Sequence, residues 1–154
     1  LIMSWPGQFQ TDQIIDKNVQ LVDLAPTLAE LTGFELPRTH GVSRCPELRG
    51  EDGSPADLPV RCEFYNTLDM EYGKPHWKPS PPQYATMYMR GRYKLCIYHG
   101  NSYGQLFDLE TDPEEQNNLW DSPEHQPLKR EMTDASYLQT IDSIVPPPDR
   151  IWRY

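Results

Sequence analysis

The sequence predicts an α+β fold: a small antiparallel sheet of about four strands packed by a C-terminal helix, with a strand-and-helix segment in front of it. Three observations carry that prediction. Tyr84–Arg90 and Tyr93–His99 are β-rich runs that meet at Gly91-Arg92, the pattern of a tight hairpin. Val60–Tyr65 alternates Val60, Cys62 and Phe64 against Arg61 and Glu63, the period of a half-buried strand. Leu128, Met132, Ala135, Leu138 and Ile141 recur in steps of four and three, so one helical face can cover the sheet.

From the start of the chain, Leu1-Ile2-Met3-Ser4-Trp5 reads as an apolar strand ended by the Pro6-Gly7 turn. Chain ends usually fray at the surface, so an opening on an apolar strand raises the expectation of a piece of a longer protein. Val19–Val22 reads as a short strand running into a helix. Asp23 is placed to cap that helix, Pro26 is tolerated in its first turn, and Gly33 suits the left-handed position after its end. Leu24, Leu28 and Leu31 share its apolar face. Residues 34 to 59, rich in glycine and proline, read as an irregular surface arm. A long loop, 66 to 83, separates the strand at 60–65 from the hairpin. After the hairpin, Gly100–Gly104 turns the chain into a further strand, Gln105–Leu109. An acidic turn, Glu110–Gln116, closes the sheet. The last helix is expected from Pro127 to about Ile144, stopped by Pro146-Pro147-Pro148, with the tail Ile151-Trp152-Arg153-Tyr154 packing back on the body.

Composition narrows the function classes. The 154 residues suffice for a real core, and 37% hydrophobic with 24% charged residues is a globular balance. Twenty-three acidic against 14 basic residues give a net charge of −9, which argues against nucleic acid or anionic membrane as a partner. No apolar run approaches the roughly 20 residues that span a bilayer. Cys45, Cys62 and Cys96 form no C-x-x-C pair; they allow one disulfide plus a free thiol, or three reduced buried thiols.

Three separated stretches resemble the C-terminal region of the formylglycine-dependent sulfatases of the alkaline phosphatase superfamily. Leu1–Gly7, then Val22-Asp23-Leu24-Ala25-Pro26-Thr27-Leu28 and Leu31-Thr32-Gly33, look like the family's strand ending in Trp-Pro-Gly and its Asp-x-x-Pro-Thr-Leu helix. Met89-Arg90-Gly91-Arg92-Tyr93-Lys94-Leu95 is similar to the family's Arg-x-x-x-Tyr-Lys-Leu hairpin. The run from Leu106 to Leu119, with Phe107-Asp108-Leu109, Asp112-Pro113 and Asn118-Leu119, resembles Leu-Tyr-Asp-Leu-x-x-Asp-Pro-x-Glu-x-x-Asn-Leu. The resemblance implies that 1–59 is the end of a large α/β domain and 60–154 a C-terminal sheet-and-helix subdomain. It further implies a parent that hydrolyses sulfate esters with a formylglycine and a divalent cation, by family habit Ca²⁺. An N-terminal catalytic domain is the implied partner, a sulfated small molecule or carbohydrate the implied substrate, and the periplasm or cell exterior the implied compartment.

None of the matched stretches is catalytic in the family, and this chain is expected to be inactive alone. Cys45-Pro46-Glu47-Leu48-Arg49 invites comparison with Cys/Ser-x-Pro/Ala-x-Arg, but proline follows the cysteine directly and Glu47 stands where the motif needs proline. No residue is assigned as catalytic or as a metal ligand. The acidic run Asp108, Glu110, Asp112, Glu114 and Glu115 fails as a calcium loop, since the sixth and twelfth positions from Asp108 hold Pro113 and Leu119. Asp108 and Asn117 or Asn118 are expected instead to hold the turn through side-chain-to-backbone bonds.

The candidate substrate contacts are Lys74, His76, Trp77 and Lys78, within Tyr72-Gly73-Lys74-Pro75-His76-Trp77-Lys78. Their cations would offset a sulfate charge and Trp77 offers a flat apolar face. The plainer alternative is a surface loop whose Trp77 packs on a neighbouring domain. Arg90, Arg92 and Lys94 are expected to be a solvent-facing row paired with carboxylates, and His99 to be structural. Two other functions stay open: a phosphonate or phosphate-ester hydrolase of the same architecture, and a non-enzymatic interaction module derived from a sulfatase end.

Overall fold

The computed structural model describes residues 1–36, 39–51, 58–65 and 84–144, the side chains of Tyr65 and Ile144 excepted. They form two compact units, one containing Leu1–Leu58 and the other Pro59–Ile141.

The second unit is the expected meander. Strands β1 (Val60–Tyr65), β2 (Tyr84–Arg90), β3 (Tyr93–His99) and β4 (Gly104–Asp108) pair antiparallel in chain order. Arg90 pairs with Tyr93, so the β2–β3 turn is the two residues Gly91-Arg92. Gly91 takes φ +55, a conformation that glycine reaches without the Cβ penalty. Tyr65 pairs with Tyr84, so the connection between β1 and β2 leaves and returns at one corner of the sheet.

Alternation sends Arg61, Tyr88, Leu95 and Leu106 to one face in a single cross-strand row. The helix α3 (Gln126–Ile144) packs there. Tyr88, Leu95, Leu106 and Met132 form the buried core, with Leu119, Trp120, Leu128 and Ala135 against it. Arg61 donates to the Thr140 hydroxyl at 2.7 Å, tying the edge strand to the helix.

The helix obeys its predicted span, and Leu128, Met132 and Ala135 of its predicted face meet the core, but the last two residues of that face do not. Leu138 and Ile141 are exposed, while Ser136 is buried. Each helical residue advances about 100°, so three successive steps of three carry Ile141 roughly half a turn away from Met132. The line that meets the sheet steps by four instead, through Leu128, Met132, Ser136 and Thr140.

In the first unit, α1 (Leu24–Thr32) follows a single 3₁₀ turn at Leu21–Asp23. It closes on Gly33 at φ +70, where Phe34 donates to Ala29 and Gly33 to Glu30 in the pattern of a Schellman cap. A one-turn helix, α2 (Cys45–Leu48), lies in the segment expected to be a surface arm. Two further expectations are corrected. Leu1–Trp5 forms no strand, because a strand needs a ladder partner and none stands beside it among the described residues; Ile2 is 96% exposed. Val19–Val22 enters the 3₁₀ turn rather than a strand.

Candidate functional site

The four candidate contacts Lys74, His76, Trp77 and Lys78 lie outside the described residues. What is described is the corner from which their loop springs. Tyr65, Tyr84 and His99 occupy one cross-strand row there. His99 Nε2 lies 2.8 Å from the hydroxyl of buried Thr86, a diagonal contact between β2 and β3 that fixes the imidazole. The corner is therefore a rigid two-strand base, the usual support for a functional loop.

The cationic row is paired as expected. Arg90 meets Glu131 of α3. Arg92 reaches Asp108 at 2.9 Å and also Glu110, and its guanidinium lies 5.0 Å from the Tyr93 ring. Hydrogen bonding to Glu110 raises its pKa first, with Tyr93 and Asp108 adding to this. Lys94 reaches both oxygens of Glu115, at 2.7 and 2.8 Å.

The acidic turn is held by its own backbone. Asp112 accepts from the amides of Gln116 and Asn117 at 3.0 and 2.8 Å, and Asp108 from Glu110 at 3.2 Å. Asp112, which sequence reasoning passed over, holds more of this turn than Asp108 does. Glu115 sits at φ +55 within it. Asn118 does the most: its Oδ1 accepts from Leu106 and Trp120, and its Nδ2 donates to the Gly104 carbonyl, each at 3.0 Å. With Leu119 donating to Leu106 at 2.8 Å, these bonds clasp the outer edge of β4. Among the described residues, no group of three or more His, Cys, Asp or Glu could hold a metal ion.

A second cluster lies in the first unit; Asp23 and Thr27 belong to the Asp-x-x-Pro-Thr-Leu stretch, but nothing in the sequence marked Arg44 as their partner. Asp23 is not the helix cap it was expected to be. It stands at the N-cap position of α1 with φ −76 and ψ −18 but makes no side-chain cap bond there; its carboxylate closes a capping box on the preceding 3₁₀ turn instead. It accepts from Val42 at 2.9 Å, from Gln20 at 3.0 Å and from Arg44 Nε and Nη2 at 3.1 and 2.7 Å. Burial alone would raise its pKa; these amides and the guanidinium outweigh that and lower it. Thr27 donates to the Asp23 carbonyl at 2.6 Å and accepts from the Arg44 amide at 3.0 Å. Arg44 also approaches Glu47 at 3.4 Å. The segment comes so close that a Cβ on Gly41 would stand 1.9 Å from the Val22 carbonyl oxygen, so only glycine fits.

Cys45 is fully buried in this cluster and its thiol donates to the Thr27 carbonyl at 3.4 Å. Burial pushes its pKa up. In the folded chain a thiol so placed is closed to a substrate. Cys62 and Cys96 stand two strands apart, each facing Met87, and the three cysteines form no disulfide with one another.

A four-stranded antiparallel meander under one long helix is the fold of the C-terminal region of a sulfatase in the alkaline phosphatase superfamily. The chain belongs to the family described as "N-sulphoglucosamine sulphohydrolase, C-terminal", which it matches over residues 1–141. It is 28% identical over 151 residues to the steryl-sulfatase of Mus musculus, covering 87% of this chain and 24% of that protein. To the N-acetylglucosamine-6-O-sulfatase of Bacteroides thetaiotaomicron it is 25% identical over 133 residues, covering 86% and 23%. The fold is also that of the phosphonate monoester hydrolase from Silicibacter pomeroyi, with a TM-score of 0.69 and 21% identity over 90% of this chain and 28% of that one. The chain thus spans about a quarter of the length of the curated relatives it matches.

Proposed function

We propose that the chain is the C-terminal part of an enzyme that hydrolyses sulfate esters of a carbohydrate, with the nucleophile and cation site lying in an N-terminal catalytic domain. The observation that carries this reading is the family match over residues 1–141, supported by two sulfatase relatives. A Ca²⁺ ion and a formylglycine would be held by that catalytic domain. This chain's share would be the cleft wall and the substrate loop. Lys74 and Lys78 would offset the sulfate charge, His76 would hydrogen-bond the ester or a ring hydroxyl, and Trp77 would stack on the sugar face. The apolar residues that the first unit turns outward would pack on the catalytic domain. The periplasm or cell exterior is the proposed compartment.

The test is kinetic and uses the protein from its complete coding region. Alanine at His76, Trp77 and Lys78 should lower kcat/KM for a sulfated glucosamine at least tenfold; unchanged kcat/KM sinks the substrate-loop assignment. A second reading, hydrolysis of phosphonate monoesters, is favoured by the shared fold with the Silicibacter enzyme. Turnover of a phenyl phosphonate ester but of no sulfate ester would establish it.

A further inference from the structure

The turn between β3 and β4 is pinned at both ends. At its entry His99, the last residue of β3, is fixed by the Thr86 hydroxyl, and Asn101 donates to the Tyr98 carbonyl at 3.1 Å. At its exit a Cβ on Gly104 would stand 2.4 Å from the Trp120 ring, so the backbone runs directly against that indole. Between these fixed points Asn101, Ser102 and Tyr103 are all exposed.

The Tyr103 ring is held as well. Tyr98 donates its hydroxyl to Gln105 Oε1 at 3.0 Å, which fixes the Tyr98 ring on its strand. Tyr103 leans on that ring, with centroids 5.2 Å apart and planes tilted by 36°. It is nonetheless 57% exposed, so it offers a flat surface whose orientation is already set. Tyrosine has few torsions to freeze, and a ligand laid on a ring already held meets little further ordering cost.

Charge and size narrow the ligand. The chain carries a net charge of −9 and 24% of its residues are charged, yet no aspartate, glutamate, lysine or arginine occurs from Leu95 to Phe107. A sulfate would find no lysine or arginine in this turn. An aromatic plane beside the Asn101 amide and the Ser102 hydroxyl suits a neutral, hydroxyl-rich ring. The C–H face of a pyranose packs on such a plane, and its hydroxyls exchange hydrogen bonds with the polar neighbours. A stable protein partner needs about 800 Å² on each side, far more than three turn residues present. The turn also follows His99, which shares its cross-strand row with Tyr65 and Tyr84, where the candidate substrate loop leaves and returns.

We infer that Tyr103, stacked on Tyr98 and flanked by Asn101 and Ser102, is a platform for an uncharged sugar ring next to the sulfated one. The substrate is then an oligosaccharide rather than a monosaccharide. The inference rests on the carbohydrate-sulfatase reading and deepens it.

Two measurements on the protein from its complete coding region test this. The first compares kcat/KM for a sulfated glucosamine and for a tetrasaccharide that ends in the same sulfated residue. The tetrasaccharide is expected to be preferred at least tenfold, Tyr103→Ala to remove that preference through KM, and Tyr103→Phe to keep it within threefold. No preference in the unsubstituted protein, or an undiminished one in Tyr103→Ala, overturns the inference. The second is titration calorimetry with an uncharged tetrasaccharide of N-acetylglucosamine, which needs no turnover. Binding that Tyr103→Ala weakens at least tenfold and Asn101→Ala at least threefold is expected; no binding, or binding that neither change weakens, overturns the inference. Sulfatase activity without this binding refutes the platform alone, and binding without sulfatase activity refutes the functional reading alone.

Discussion

In the first unit the most buried side chains include Asp23, Thr27, Arg44, Cys45 and Glu47, while Leu1, Ile2, Ile14 and Leu21 stand in solvent. In the second unit the order is reversed: Tyr88, Leu95, Leu106 and Met132 are inside, and the charged row lies outside in pairs. The second unit is organised as a domain with its own core. The first is organised as a connector, held in shape by a polar knot while its apolar side chains face outward. Apolar burial is non-directional and tolerates repacking. A buried ion pair depends on every partner being present.

Asp23→Ala should therefore be the most damaging change. It leaves Arg44 buried with only the longer contact to Glu47, at a cost of about 3–5 kcal/mol to the first unit. The sealed Cys45 thiol reports this directly, since its labelling should accelerate more than a hundredfold while the sheet's circular dichroism is unchanged. Unchanged protection of Cys45 would show that the knot does not hold the unit.

Leu106→Ala should cost about 2–5 kcal/mol in the second unit, read by denaturant unfolding, with Cys45 labelling unaffected. Coupled loss of both units would erase the distinction between them. Asn118→Ala leaves the Leu106 and Trp120 amides and the Gly104 carbonyl without this partner, at about 1–3 kcal/mol.

Acid should separate the units as well. The Asp23 pKa is lower in the folded chain, so its contribution is complete above the unfolded carboxylate value of about 3.9 and is lost as pH falls below it. Exchange of the Val42 amide should accelerate below about pH 4, and Asp23→Asn should flatten that profile. The smallest effect belongs to Arg90→Ala, whose partly exposed pair with Glu131 should be worth no more than about 1 kcal/mol by thermal unfolding.

How much of this could be read beforehand divides along the same line. β1, β2 and β3 were legible to the residue, because strict alternation and a two-residue glycine turn leave one register. That Arg90, Arg92 and Lys94 would be paired was legible from an acid-rich sequence, but their partners Glu131, Asp108, Glu110 and Glu115 lie outside the hairpin and were not. The polar knot was not, since Asp23 finds its partners 19 and 21 residues away and no period marks such a contact. Gly41 was a weak signal that could have been used, a glycine with no turn to justify it. The apolar face of α1 was legible from its spacing, but what covers it was not, since helical spacing reveals only the face, and Leu28 stays 52% exposed. The substrate loop was read from its residue types alone, and Lys74, His76, Trp77 and Lys78 lie outside the described residues.

The clasp that Asn118 places on β4 has a bearing on how such sheets fail. A bare edge invites another chain to continue the ladder, the first step towards fibres and swapped assemblies. Here one margin is stopped by a side-chain amide mimicking a neighbouring strand. Recruitment of foreign strands is thereby steered to the opposite margin, along β1, where the charged pair Arg61 and Glu63 stands guard. Spontaneous loss of the Asn118 amide nitrogen, a slow chemical ageing of asparagine, would convert its donor end to a carboxylate facing the Gly104 carbonyl. That single event would unlock the protected margin, so the age of a preparation would be written in its tendency to aggregate.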